Sequence, residues 1–289
     1  LHRVDRRQRQ MCIRDRTYCE QYRYIGLMYF IPCYGFYLFI DNPMRNLIAV
    51  SIVLYAFKYL QERKPIQYFS LVIIAMTFHT SACIMIPAYF FMHKDLNTKM
   101  IVILYIIINV VFANRALLSV VISNIFGSIP YVAGKINSYI ESSNEEGAGR
   151  VISLGFIIFF TFFVLLCFYK NQIYKTKNGK LIWNGAIIFL LLYRLATTIE
   201  VFMRFQLYYM IFFVAGISYL TIFFTERTKK IYISYILVLA IIGNSRIFST
   251  YRYIPYTNYL PYALKGEFPS YSYRLSLIHI SEPTRPERI

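Results

Sequence analysis

Acidic residues are scarce in this chain, with 14 Asp and Glu against 31 Lys and Arg in 289 residues. That leaves few carboxylates for acid–base work. Histidine is rarer still, at four, and the five cysteines show no metal-ligand spacing. A zinc site and a disulfide framework are therefore not expected, and neither a metal nor a cofactor is called for. There is no Gly-rich phosphate loop, no Ser/His/Asp arrangement and no Asp-x-Asp nucleotide-sugar motif. No internal repeat is visible. No stretch reads as a soluble domain, the longest polar segment being roughly Lys135–Arg150. What fills the chain is apolar, with 57% of its residues hydrophobic.

The two ends read as foreign to the rest. Arg6–Arg16 spells RRQRQMCIRDR and Leu275–Arg285 spells LSLIHISEPTR. The core of the first is encodable by ATG TGT ATA AGA GAC AG. The reverse complement of that string encodes Leu-Ser-Leu-Ile-His and the start of Ile. Both ends thus resemble one sequencing adapter read from opposite strands, and such segments are set aside before fold reasoning. Residues 1–16 and 275–289 are expected to be adapter-derived. Residues 17–274 are expected to be the natural domain, open at both ends.

The ends hold eight basic and four acidic residues, so the interior keeps 23 basic and 10 acidic, a net charge of +13. Its basic residues form short clusters between apolar runs. That is the pattern of a membrane protein with Lys/Arg-rich cytoplasmic loops, and nucleic acid is not an expected partner. Only His79 and His93 remain in the interior. Cys19, Cys33, Cys83 and Cys167 read as small hydrophobes.

A helix needs about 20 mostly apolar residues to cross a bilayer. Candidate spans are Tyr24–Ile40, Asn46–Leu60, Tyr68–Met92, Met100–Ala113, Val151–Tyr169, Leu181–Thr197, Phe205–Phe224 and Ile231–Phe248. The expected fold is all-α, a polytopic transmembrane bundle of about eight or nine helices. The clusters Lys58/Arg63/Lys64, Lys170/Lys175/Lys177/Lys180 and Arg227/Lys229/Lys230 should be cytoplasmic. Three crossings between Lys64 and Lys170 would leave Lys170 on the wrong side. Two solutions exist: a further segment at Leu117–Ala133, which this reading prefers, or a broken, re-entrant Tyr68–Met92. His79-Thr80-Ser81 and Pro87 would suit such a break.

Ionisable groups inside membrane segments are costly and default to functional candidates. Arg45 opens a span, either as a snorkelling anchor or as an anion clamp at a helix N-terminus. His79 sits mid-span; its neighbours Thr80, Ser81 and Ala82 also allow close helix packing. Arg194, Glu200 and Arg204 lie along the outer end of one helical hairpin. Glu200 and Arg204 form a favourable i,i+4 pair. With Arg45, the two arginines make a candidate pyrophosphate site, since guanidinium grips phosphate bidentately. The tail after Ser249 is rich in tyrosine, suited either to an interface or to sugar rings.

Arg45, the basic segment Lys58–Lys64 and Phe78-His79-Thr80-Ser81-Ala82 occur in an order that resembles the EpsG family of polysaccharide polymerases. Arg204 with Tyr208-Tyr209, and Ile254-Pro255-Tyr256, look like later segments of that family. Asn46 stands where Gln is usual. The resemblance implies a Wzy-like, metal-independent membrane glycosyltransferase, multi-pass in the bacterial inner membrane. It would join undecaprenyl-diphosphate-linked oligosaccharide repeats on the outer face, in exopolysaccharide, capsule or O-antigen biosynthesis. On that reading Arg45, Arg194 and Arg204 hold the leaving diphosphate. His79 or Glu200 acts as base, and Tyr208 and Tyr256 contact sugar. The implied partners are that lipid-linked oligosaccharide and the lipid bilayer, with a chain-length regulator and a flippase as further candidates. The rival readings are a lipid-linked oligosaccharide flippase or other transporter, and a membrane acyltransferase. Genomic sequencing across both ends should find neither Arg6–Arg16 nor Leu275–Arg285 encoded; either one in source DNA ends the adapter reading.

Overall fold

The computed structural model describes residues 24–32, 44–113, 124, 153–176, 178–198 and 200–249. Every element is helical, and no strand occurs among the described residues. We number the helices in order: α1 (24–32), α2 (Met44–Gln61), α3 (Pro65–Phe78), α4 (Met85–Phe91), α5 (Thr98–Ala113), α6 (Leu154–Phe168), α7 (Lys170–Tyr174), α8 (Gly179–Thr198), α9 (Glu200–Phe223) and α10 (Glu226–Ser249). A five-residue 3₁₀ turn, Thr80–Ile84, separates α3 from α4.

The α2–α3 turn is built from local chemistry. Lys64 N–H donates to Tyr59 O at 2.9 Å and Arg63 N–H to Leu60 O at 3.3 Å, with Arg63 at φ 53°. These are the two bonds of a Schellman ending. Pro65 then opens α3, where its missing N–H costs nothing.

The stretch from Pro65 to Met92 is a hairpin. At His79 the backbone turns extended, φ −150° and ψ 121°, and α3 stops. The chain then folds back. Tyr68, early in α3, donates its hydroxyl to Met85 O at 2.8 Å and packs on Tyr89, ring centroids 5.4 Å apart. Phe69 packs on Tyr89 at 5.1 Å and on Phe90 at 6.2 Å. The hairpin's two ends meet: burial first, then the charge of Arg63, hold the His93 pKa below its ordinary value.

Asn184 of α8 locks the exit. It is fully buried, and its amide nitrogen donates to the carbonyls of Phe91, Met92 and Lys94 at 3.2, 2.9 and 2.9 Å. Phe91 O also accepts from Lys94 N–H at 3.1 Å, so the amide reinforces the turn that ends α4. Tyr174 returns a hydroxyl to Asn184 Oδ1 at 2.8 Å. Beside it, Lys180 pairs with Asp95 at 2.8 Å and the Lys170 ammonium donates to Leu96 O. Arg63, Lys94, Lys170 and Lys180 therefore gather at one end of the molecule.

The core lies between the antiparallel helices α8 and α9. Phe189 stacks on Phe213 at 4.4 Å, and Phe162 of α6 meets Phe213 edge-on at 5.4 Å. Trp183 Nε1–H donates to Leu166 O at 2.7 Å, tying α8 to α6. Gly185 matters here because a Cβ would sit 2.4 Å from the Phe212 ring.

α6 carries no charged residue, and its Leu154, Ile157, Phe160, Val164 and Phe168 are exposed. Ile103, Ile106, Ile107 and Val110 of α5 are exposed as well. A helix apolar all round needs an apolar surrounding. Two segments, Gly179–Thr197 and Phe202–Phe223, are long and apolar enough to cross a bilayer; four other apolar helices have 10–17 residues. The described residues thus establish an all-helical protein with two such spans. The expected count of eight or nine goes beyond them. The break offered as one solution for the chain between Lys64 and Lys170 is present within Tyr68–Met92, at His79; of Leu117–Ala133 only residue 124, which is helical, is among the described residues. Asn184→Ala should lower stability by about 1–3 kcal/mol, because buried carbonyls lose their donor. Thermal unfolding of the detergent-solubilised protein would check this against Ile103→Val, which should change little.

Candidate functional site

The hairpin tip sits at the end of the molecule away from the basic loops. His79 is half-buried there and caps the 3₁₀ turn with its own ring: Ser81 N–H donates to His79 Nδ1 at 3.2 Å. The Ser81 hydroxyl lies 2.5 Å from the same nitrogen. Ser81 Oγ also lies 3.1 Å from the Tyr208 hydroxyl and 3.5 Å from Asn46 Oδ1. Tyr208 O–H donates to Asn46 Oδ1 at 3.0 Å. Asn46, Ser81 and Tyr208 are buried, at 0%, 6% and 1% exposure. Three elements, α2, the tip and α9, are thus joined through one polar knot.

The tip's backbone is held by a second pair of side chains. The carbonyls of Ile84 and Met85, where the 3₁₀ turn passes into α4, accept from Tyr209 and Tyr68 at 3.2 and 2.8 Å. Arg204 lies one turn before Tyr208 on α9, close enough to His79 for its charge to act on the ring.

Several expected site residues come together and others do not. His79, Arg204 and Tyr208 share the tip. Arg45 is at the same end, next to Asn46, with its side chain exposed. Arg194 stands level with Arg204, because α8 and α9 run antiparallel about residue 199. It is buried, and its electrostatic neighbour is Tyr105 of α5. Glu200 opens α9, and its side chain lies outside the described residues. Tyr256 lies outside them entirely. Tyr208, expected to contact sugar, has its ring buried and its hydroxyl held by Asn46 and Ser81.

The profile of the EpsG family matches residues 11–264. The chain belongs to the EpsG family. The match begins inside the stretch assigned to adapter sequence and leaves 1–10 and 265–289 unmatched. Comparison with curated proteins and with solved structures finds no match. EpsG membership implies a membrane protein of the Wzy-like polysaccharide-polymerase type, and the exposed apolar helices accord with that.

In this EpsG-family chain, sequence reasoning undervalued Asn46 and Ser81. Asn46 stood out only as a departure from Gln, and Ser81 only as a small residue. The available signal was a buried-helix position occupied by an amide, which has to find a partner. Tyr208→Phe should lower stability by about 1–3 kcal/mol, since it leaves Asn46 Oδ1 short of a donor. A double-mutant cycle with Ser81→Ala should show a coupling of about 0.5 kcal/mol or more. Strict additivity in thermal unfolding would mean that the knot is not one unit.

Proposed function

We propose that this protein is a Wzy-like polymerase that joins undecaprenyl-diphosphate-linked oligosaccharide repeats on the outer face of the bacterial inner membrane. One observation carries the reading: a broken hairpin places His79 at the end opposite the basic loops, where α9 carries Arg204. Basic loops face the cytoplasm, so the tip looks outward. Because the hairpin enters and leaves at the basic end, it adds no crossing. Lys64 and Lys170 then share the cytoplasmic side, with α5 and α6 as crossings between them. Irregular backbone at membrane depth is tolerated where it lines a cavity, and a substrate cavity is what such an enzyme needs there.

The chemistry is a glycosyl transfer. An acceptor sugar hydroxyl forms a bond to the anomeric carbon of the growing chain. The bond from that carbon to the diphosphate oxygen breaks, and its electron pair stays on that oxygen. The hydroxyl proton ends on the departing diphosphate. Developing charge on the leaving group is met by cationic donors, for which Arg204 and Arg45 are the candidates, with Arg194 level with them. Lipid-linked substrate, bilayer, chain-length regulator and flippase are the partners this reading takes.

Deleting the complete gene should stop polymer formation and leave single lipid-linked repeats on the outer leaflet. Repeats held on the inner leaflet would instead identify a flippase. Arg204→Lys, and more so Arg45→Lys with Arg204→Lys, should cut polymer yield about tenfold or more, because an ammonium lacks the bidentate fork. Full polymer from the double variant would end the clamp assignment.

A further inference from the structure

The wiring of His79 fixes which of its nitrogens can meet substrate. A backbone N–H can only donate, so Nδ1 must offer its lone pair to Ser81 N–H at 3.2 Å. The Ser81 hydroxyl, 2.5 Å away, accords with the same arrangement. The ring hydrogen then belongs on Nε2. Among the described residues Nε2 has no hydrogen-bond partner, while the ring is half-buried at the tip. A nitrogen that carries hydrogen has no lone pair with which to take a proton. Serving as base through Nε2 would require Nδ1 to gain a hydrogen facing Ser81 N–H, breaking the cap that holds the break.

The surroundings ask for an anion. Arg204 lies one turn before Tyr208, whose hydroxyl is 3.1 Å from Ser81 Oγ, and its charge reaches the ring. The described carboxylate side chains are Glu62, Asp95 and Glu226, each paired with a lysine at 2.8 Å and none at the tip. Two donors, one of them cationic, thus share the tip; Glu200, one turn before Arg204, has its side chain outside the described residues. Charge-assisted donation to a phosphate oxygen suits this pair.

We propose that His79 donates a hydrogen bond through Nε2–H to a phosphate oxygen of the lipid diphosphate beside Arg204, and does not take the acceptor's proton. The inference rests on the polymerase reading and deepens it. Asn46, Ser81 and Tyr208 are positioning residues that hold the ring in this tautomer.

The test uses the full chain in lipid nanodiscs with undecaprenyl diphosphate as probe, alongside polymer yield in the deletion strain at equal membrane abundance. His79→Gln places an amide N–H near the Nε2 position but cannot act as a base. His79→Asn keeps an acceptor for Ser81 N–H, as a cap should, but does not reach the Nε2 position. The Gln variant, which loses the cap but keeps the donor, should bind the probe more tightly than the Asn variant and make more polymer. The Asn variant should bind about tenfold or more weakly, the scale of one hydrogen bond to a charged group. A Gln variant that binds normally yet makes no polymer would assign His79 as the base and overturn the proposal. An Asn variant equal to wild type in both readouts would make the ring a packing element and overturn it as well. Wild-type protein that fails to bind the probe would sink the polymerase reading itself, and the donor role with it.

Discussion

A helix cannot stop inside an apolar surrounding without finding partners for the backbone groups it releases. That constraint organises this protein. α3 ends at His79, where the backbone turns extended before the 3₁₀ turn and α4. Each unpaired group would cost on the order of several kcal/mol in a lipid-like medium. The chain meets the requirement with side chains from near and far in sequence. The His79 ring takes the Ser81 N–H, while Tyr68 and Tyr209 take the Met85 and Ile84 carbonyls. Asn184 takes the carbonyls at the hairpin's exit.

The same bonds determine how the rest packs. α9 approaches the tip because Tyr208 and Tyr209 both end there, and α2 approaches because Asn46 does. The α8–α9 pair, with aromatic stacking at Phe189–Phe213 and a glycine beneath Phe212, supplies a stiff wall for this purpose. Polarity is thereby sorted along the molecule. Lysines and their carboxylates sit at one end, and the knot with Arg204 sits at the other. The ion pairs at the basic end are partly exposed and contribute little to stability. Their main effect is on orientation, through the charge asymmetry that a membrane reads.

The sequence made the helical class plain, because runs such as Leu154–Phe168 hold no charge and no proline. It also made His79 and Arg204 stand out, since charged or titratable residues are rare in such runs. The break was legible as an alternative, from His79-Thr80-Ser81 and Pro87. Sequence preference still fell on an extra segment at 117–133, because crossing parity can be mended in either way. What shows the break is a set of contacts from Tyr68 and Phe69 to Met85, Tyr89 and Phe90, and hydropathy says nothing about those. The knot was illegible for a related reason. An Asn or Ser in an apolar run signals a partner but not which one, and the partners lie 127 to 162 residues away for Ser81–Tyr208 and Asn46–Tyr208.

Stability and chemistry are joined at His79 by one nitrogen. Were the ring merely a base that happened to sit at a break, its two nitrogens would be free to exchange roles during turnover. The backbone N–H of Ser81 removes that freedom, because a backbone donor cannot reverse its direction. A side chain that satisfies the backbone through Nδ1 is committed to presenting hydrogen at Nε2. The position of the break therefore sets the polarity of the site. A donor beside an arginine, at the end of the molecule away from the lysines, is an arrangement that a diphosphate would complete.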